Sequence, residues 1–353
     1  MESIQQIKNR IESIAGTKQI TRSMRLVSTV RLRRAKDRML ANAAFHEGMI
    51  RMVSEAAADP DVFNHRYLRQ HAADAAYKCV IAVGGDRGLC GGYNVNVCKE
   101  ARSLIRGLGK VRLITVGQKA HDYFARQNPG AQQMERAFTG ISENPFLEDA
   151  EDIANAALKL YADGEADSIY LVYTKFVNML SLIPTHIKLL PLDAAAMAGA
   201  ASAASAAMAG AAGAAGAAAA VVTTAAPDGT TVAAGDASAA STPSAASAAN
   251  EPAPANTRRI KPLIRYEPGC AEMLDKSVPF YIAALIFGAM LESSVCEQSS
   301  RITSMDSAVR NSEEMIESLT LQYNRARQGD ITGDLADIIG GTKALKIALE
   351  RPE

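Results

Sequence analysis

From Tyr281 to Ala326 the chain repeats a three-four spacing through Tyr281, Ala284, Gly288, Leu291, Val295, Gln298, Ile302, Met305, Val309, Ser312, Ile316, Leu319, Tyr323 and Ala326. Such a seam, held over many heptads with a few small or polar interruptions, specifies a coiled-coil helix. A helix from about Ser277 to Leu349 is about 110 Å long at about 1.5 Å per residue. No ordinary globular domain is that wide, so part of it must project.

Proline placement agrees. An interior proline loses a backbone hydrogen bond and clashes with the preceding turn, at about 3 kcal/mol. None occurs before Pro60 or between Pro279 and Pro352, whereas the middle of the chain holds eleven of the thirteen. Both ends are therefore free to be long helices. The amino end keeps the same rhythm through Ile4, Ile7, Ile11 and Ile14. Two short steps through Thr17 to Ile20 then shift the phase before Met24 and Val27, a pattern that predicts local overwinding. Through Arg38 this end carries ten basic residues against Glu2, Glu12 and Asp37, while Asp275 to Glu353 has twelve acidic and eight basic. Opposite signs favour pairing the two ends, most simply antiparallel.

Between them lies an α/β pattern. Tyr77 to Gly85, Lys110 to Gly117, Asp167 to Phe176 and Ser181 to Leu192 read as strands. Helical segments separate the first three, around Asn94 to Leu108, Gln118 to Gln127 and Pro145 to Tyr161. The alternation predicts a small, mostly parallel sheet covered by helices. From Asp193 to Asn256 the composition collapses to Ala, Ser, Gly and Thr, too poor in apolar bulk for a core. The expected organisation is an amino-terminal shaft helix at 1–59, a central α/β domain at 75–192, a low-complexity insertion at 193–258 and a carboxyl-terminal shaft helix at 275–350.

Composition excludes several classes. Lysine plus arginine equals aspartate plus glutamate at 38 each, so no bulk charge points to nucleic acid or an acidic substrate. Five cysteines without a CxxC pair read as reduced thiols. The amino end lacks the apolar core of a secretory signal. The run Val278 to Leu291 falls short of the roughly 18 to 20 residues that span a bilayer, and the expectation is a chain that does not cross one. The histidines lack the i, i+4 spacing of a helical metal site. The basic cluster Arg31 to Arg38 has no aromatic partners for stacking on bases beyond Phe45, which favours a solvated or partner-facing helix surface over a nucleic-acid grip. Acidic pairs such as Glu313 and Glu314 belong to a solvated helix face.

The stretch VIAVGGDRGLCGGYN, Val80 to Asn94, follows a strand and precedes a helix, where a phosphate loop belongs. It nevertheless lacks the lysine and hydroxyl of GxxxxGK[ST], and it contains no GxG. The residues favour a structural or protein-contact turn over a nucleotide site. Nothing assembles a nucleophile, base and oxyanion site, and no cofactor or metal is implied.

Three segments together resemble the gamma subunit of F-type ATP synthase. IKNRIESIAGTKQITRSMRLVSTVRLRRA is similar to that family's IxxRIxSIxxTxKITxAMxMVAxxKLRRA, and DRGLCGGYNVN to its SDRGLCGGxN. RITSMDSAVRNSEEMIESLTLQYNRARQGDITGDLADIIGGTKAL resembles RMxAMxxAxxNAxxxIxxLxLxYNRARQAxITxELxEIxxGAxAL almost throughout. The resemblance implies a non-catalytic rotor: an asymmetric antiparallel coiled coil inside a ring of alpha and beta subunits, its foot on the membrane c-ring with the epsilon subunit. Proton flow turning the foot would drive the ring's sites through binding, synthesis and release. It implies residence on the cytoplasmic side of a bacterial plasma membrane. Position by position, it implies ring contacts at Met24, Arg25, Arg301, Arg327, Gln328, Thr332 and Asp334. Cys90 is expected near the tip of the glycine loop, facing the beta subunits. Asp334 stands where the family has glutamate, Gly85 where it has serine, Arg31 where it has lysine and Ile302 where it has methionine. The insertion begins where chloroplast relatives carry a redox-regulatory cysteine pair, and it has no cysteine, so thiol regulation is not supported.

Overall fold

In the computed structural model the described residues are 3–57, 65–68, 77–126, 132–192 and 269–349. The expected insertion lies outside them. Two long helices, α1 (Ile4–Ala57) and α5 (Cys270–Leu349), bracket β1 (Tyr77–Val83), α2 (Tyr93–Leu108), β2 (Val111–Val116), α3 (Gln118–Arg126), β3 (Gln132–Phe138), α4 (Leu147–Ala162), β4 (Ala166–Phe176) and β5 (Leu182–Leu190). The five strands form one sheet in the order β3-β2-β1-β4-β5. β5 pairs antiparallel with β4, and the remaining pairings are parallel.

Period-two alternation divides each central strand between two cores. Cys79, Ile81 and Val83 of β1, with Ile114, Ile169 and Leu171, pack on α4, α5 and the foot of α1. Val80 and Ala82, with Leu113 and Val172, pack on α2 and α3. Strands buried on both faces read as continuous apolar runs, as parallel strands should. The edge strand β3, QQMERAF, carries no such run and is not among the strands expected from the sequence. Its Glu135 is held by Arg112 at 2.6 Å, an edge-strand ion pair that no hydrophobic pattern announces.

α1 and α5 run antiparallel. Lys18 and Arg22 meet Glu313 at 3.0 and 2.9 Å, Arg25 meets Asp306 at 2.6 Å, and Phe45 and Phe280 pack edge to face with ring centroids 5.8 Å apart. The expected phase shift in α1 is absent. Ile20 and Val27 are 63% and 51% exposed, and Thr17 is exposed as well. The inner face continues without interruption through Ile7, Ile11, Ile14, Lys18, Thr21, Met24, Ser28 and Leu32. Small and polar residues hold the seam there, so following the apolar residues alone led onto the outer face. Leu32→Ala is therefore expected to destabilise the chain by about 2 to 3 kcal/mol. Ile20→Ser should change its stability by less than about 0.5 kcal/mol. Chemical denaturation of the two variants checks the register.

α5 begins at Cys270, seven residues before the expected Ser277, and takes Pro279 inside it. The lost hydrogen bond is offset because Leu274, Val278 and Ile282 are fully buried there. No residue from Tyr281 to Arg301 is exposed, since this stretch lies between α1, α4 and the sheet. From Ile302 to Ala326 only the seam side is covered, and every residue from Arg327 to Lys343 is exposed. Ile4 lies fourteen residues before Lys18 and so falls opposite Arg327, fourteen after Glu313. The helix beyond, about 30 Å of it, has no partner helix among the described residues. α5 contains an apolar window long enough to cross a membrane, but 67% of that window is buried inside the protein. Its apolarity is thus accounted for by the core.

Candidate functional site

The glycine loop and α5 meet where the shaft leaves the α/β domain. Seven of the nine residues from Ser293 to Arg301 are polar, yet of these only Ser300 is not fully buried. Ser294, Ser299, Ser300 and Arg301 direct their hydrogen bonds to loop backbone. Ser300 Oγ donates to Cys90 O at 2.6 Å, Ser299 Oγ to Met179 O at 2.9 Å, and Arg301 Nη2 to Gly88 O at 3.2 Å. Arg301 also pairs with Glu297 at 2.6 Å, their side chains 6% and 1% exposed. This polar collar joins the helix to the turn after β1 on one side and the β4–β5 hairpin on the other.

The loop uses its own donors internally. Gly84 N donates to Val116 O, Gly85 N to Asn94 Oδ1 and Asp86 N to Ser142 Oγ, each at 2.8 Å. A Cβ on Gly85 would lie 2.7 Å from Glu297 Oε2, so a carboxylate fills the concave side. The space beneath, lined by Val83, Gly84, Tyr93, Met290 and Glu297 among others, has no room for even a water molecule. Ligand pockets usually run from about 300 Å³ upward. The amides of Gly84, Gly85 and Asp86, where a phosphate cradle would begin, are already taken, and the loop is a bolted turn.

Asp86 is the hub of that turn. Its carboxylate accepts from Gln118 N, Gly140 N and Ser142 N at 2.9 Å and from Ser142 Oγ at 2.7 Å. Burial alone would raise the carboxyl, but the hydrogen bonds from Gly140, Ser142 and Gln118 outweigh it and hold it below its ordinary value. Glu297 moves the opposite way: burial raises it, and Arg301 only partly opposes that.

Two of the expected contact residues face inward. Cys90 is 2% exposed, its thiol pushed up by burial and approached by Asn94 Nδ2 at 3.1 Å. Arg87, Gly88 and Leu89 are exposed at the tip, Leu89 being 61% exposed and held at φ 61°, a left-handed conformation uncommon for leucine. Arg301 belongs to the collar, because the loop covers it in three dimensions. Met24 is half-buried and Arg25 exposed on the coiled coil, while Arg327, Gln328, Thr332 and Asp334 are exposed on the bare segment. The reading of the sequence missed Asp86, Asn94, Glu297 and Ser300. One signal was available: seven polar residues interrupting an otherwise apolar helix.

The sequence model of the ATP synthase family matches residues 3–345. The ATP synthase gamma chain of Heliobacterium modesticaldum is 31% identical, over 98% of this chain and 100% of its own. This chain belongs to the ATP synthase gamma chain family. Another gamma chain, from Anaeromyxobacter sp. strain Fw109-5, is 32% identical over 98% and 100% of the two chains. The gamma chain of Acetobacterium woodii, named sodium ion specific, is 30% identical over 98% and 99%. So small a spread in identity does not sort gamma chains by coupling ion. The fold is shared with a chain of the Euglena gracilis mitochondrial ATP synthase (TM-score 0.58, 14% identity, 99% and 97% covered). It is also shared with a chain of the central stalk and c-ring structure from Tetrahymena thermophila (TM-score 0.51, 20% identity, 82% and 99% covered). As a gamma chain the protein is the rotor subunit of a membrane-associated ATP synthase, and its collar is the joint between shaft and domain.

Proposed function

We propose that this gamma chain works as a bolted axle. The observation that carries the reading is the graded burial of one continuous helix: enclosed to Arg301, half-covered to Ala326 and bare from Arg327. Torque applied to the α/β domain enters α5 through the collar and leaves along a shaft with no flexible joint. The shaft's outer surface supports a sleeve of partners. Ile20, Leu26, Val27 and Val30 on α1, and Ile331, Leu335 and Ile338 on α5, are 49 to 68% exposed. Apolar surface of this extent marks an interface, and apolar contact lets a shaft slide where a lattice of directional bonds would hold it.

The sleeve in this reading is the ring of alpha and beta subunits. Met24, Arg25, Arg327, Gln328, Thr332 and Asp334 touch it, and Leu89 takes the place given to Cys90. Arg25 already pairs with Asp306, so its attraction to acidic partner surfaces is tempered and falls with salt. The foot sits with the epsilon subunit on a proton-driven c-ring, on the cytoplasmic face of a bacterial plasma membrane. The test is reconstitution with alpha and beta subunits, where adding this chain should change the ring's ATPase rate severalfold. A rate unchanged by the chain would refute the axle.

A further inference from the structure

The connection from β3 to α4, Gly140 to Phe146, has no role in the rotor reading so far, yet four separate parts of the chain converge on it. Asp86 of the glycine loop accepts from Gly140 N and Ser142 N. Arg87 Nε lies 2.8 Å from Glu143 Oε1, and Arg31 Nη1 of α1 lies 2.9 Å from the same oxygen. Ser294 Oγ of α5 reaches Glu143 O at 3.4 Å. One heptad on from Arg31, Arg38 donates to Pro145 O at 2.6 Å and lies over the Phe146 ring, 5.7 Å from its centroid. Asp149 Oδ2 accepts from Phe146 N at 2.9 Å, anchoring the far end to α4.

We infer that this connection is a buckle that ties the amino-terminal shaft helix directly to the α/β domain, with Glu143 as its pin. The inference rests on the axle reading and adds a second path for torque. α5 is joined to the domain along its length to Arg301, whereas among the described residues α1 enters the domain core at its foot, from Met49 to Ala56. Above the foot, α1 packs on α5, and among the described residues Arg31 and Arg38 tie it to the domain. The buckle shortens the length of α1 over which twist can accumulate. The two arginines reach Glu143 Oε1 as charge contacts without hydrogen-bond alignment, although that oxygen is buried. The pin therefore holds by charge and should respond to its removal without loss of packing.

The experiment uses the chain reconstituted with an immobilised alpha and beta ring, a bead fixed to the exposed face of α2, and no nucleotide. The angular variance of the bead at its dwell positions is the readout. Treated as two parallel springs, Arg31 and Arg38 share the restraint on α1, so Glu143→Gln and Arg31→Gln should each widen the variance by up to about twofold. The double variant should widen it no further. Arg87→Gln, which leaves the α1 tie intact, should not widen it. Melting temperature and unloaded ATPase stimulation should stay at wild-type values in all of them. A Glu143→Gln variance equal to wild type, or an Arg87→Gln variance as wide as that of Arg31→Gln, overturns the buckle. A wild-type chain that shows no discrete dwells overturns the axle reading instead.

Discussion

Replacing Arg301 with alanine is expected to lower the stability of the chain by about 3 to 5 kcal/mol, seen as a lower urea midpoint with little change in slope. The reason is Glu297, 1% exposed and paired with Arg301 at 2.6 Å. Without the guanidinium, a carboxylate is left buried with Asp86 and Glu143 repelling it. The deficit should depend on pH with a definite sign. Burial raises Glu297 above its ordinary 4.5 in the folded chain, so folding favours the protonated form and its stability contribution falls as pH rises from 4.5 through the folded value. Losing Arg301 raises that value further, and the deficit of the variant should shrink on acidification before pH 4.5 is reached. The double variant Glu297→Gln, Arg301→Met should recover most of the loss, because it leaves no unpaired charge. A deficit that is flat with pH, or that persists in the double variant, would show that Arg301 acts through packing alone.

Asp86→Ala is expected to cost about 3 kcal/mol or more, since three backbone amides and one hydroxyl lose a charged acceptor, at about 1 to 3 kcal/mol for each group that stays buried and unpaired. Its pH window lies elsewhere. The folded carboxyl is depressed below its ordinary 3.8, so its contribution is fully present above that value and is lost as pH falls through the folded one. The difference between wild type and Asp86→Ala should therefore hold steady down to about pH 4 and close only below it. Loss of the difference at higher pH would show that the carboxylate does not carry the turn. Neither variant touches the outer shaft surface. Where they remain folded, their defect in the reconstituted ring should appear as a loose joint and not as lost affinity for the ring.

The seam of α5 was legible in the sequence because burial on one side leaves a period that side-chain type records: Met305, Val309 and Leu319 are all buried where the rhythm places them. The central strands were legible for the same reason, being apolar on both faces. α1 was legible as a helix but not in phase, because Lys18, Thr21 and Ser28 occupy inner positions while Ile20 and Val27 face outward toward the proposed partners. The collar was hidden because its chemistry is non-local. Arg301 and Gly88 are 213 residues apart, and Ser300 and Cys90 are 210 apart. Arg301 and Cys90 read as surface contacts along the chain, and folding buries both, Arg301 against Gly88 O and Cys90 O under Ser300.

By itself, then, the sequence determined that there would be two long antiparallel helices of opposite charge around a small, mostly parallel sheet, since periodicity, proline placement and charge sign act along the chain. Only the tertiary structure decided which face of α1 turns inward, that the glycine loop is bolted to Ser300 and Arg301, and that Asp86 and Glu143 are the hubs of that joint. Those outcomes depend on which polar groups lose water together, and desolvation is set by neighbours in space.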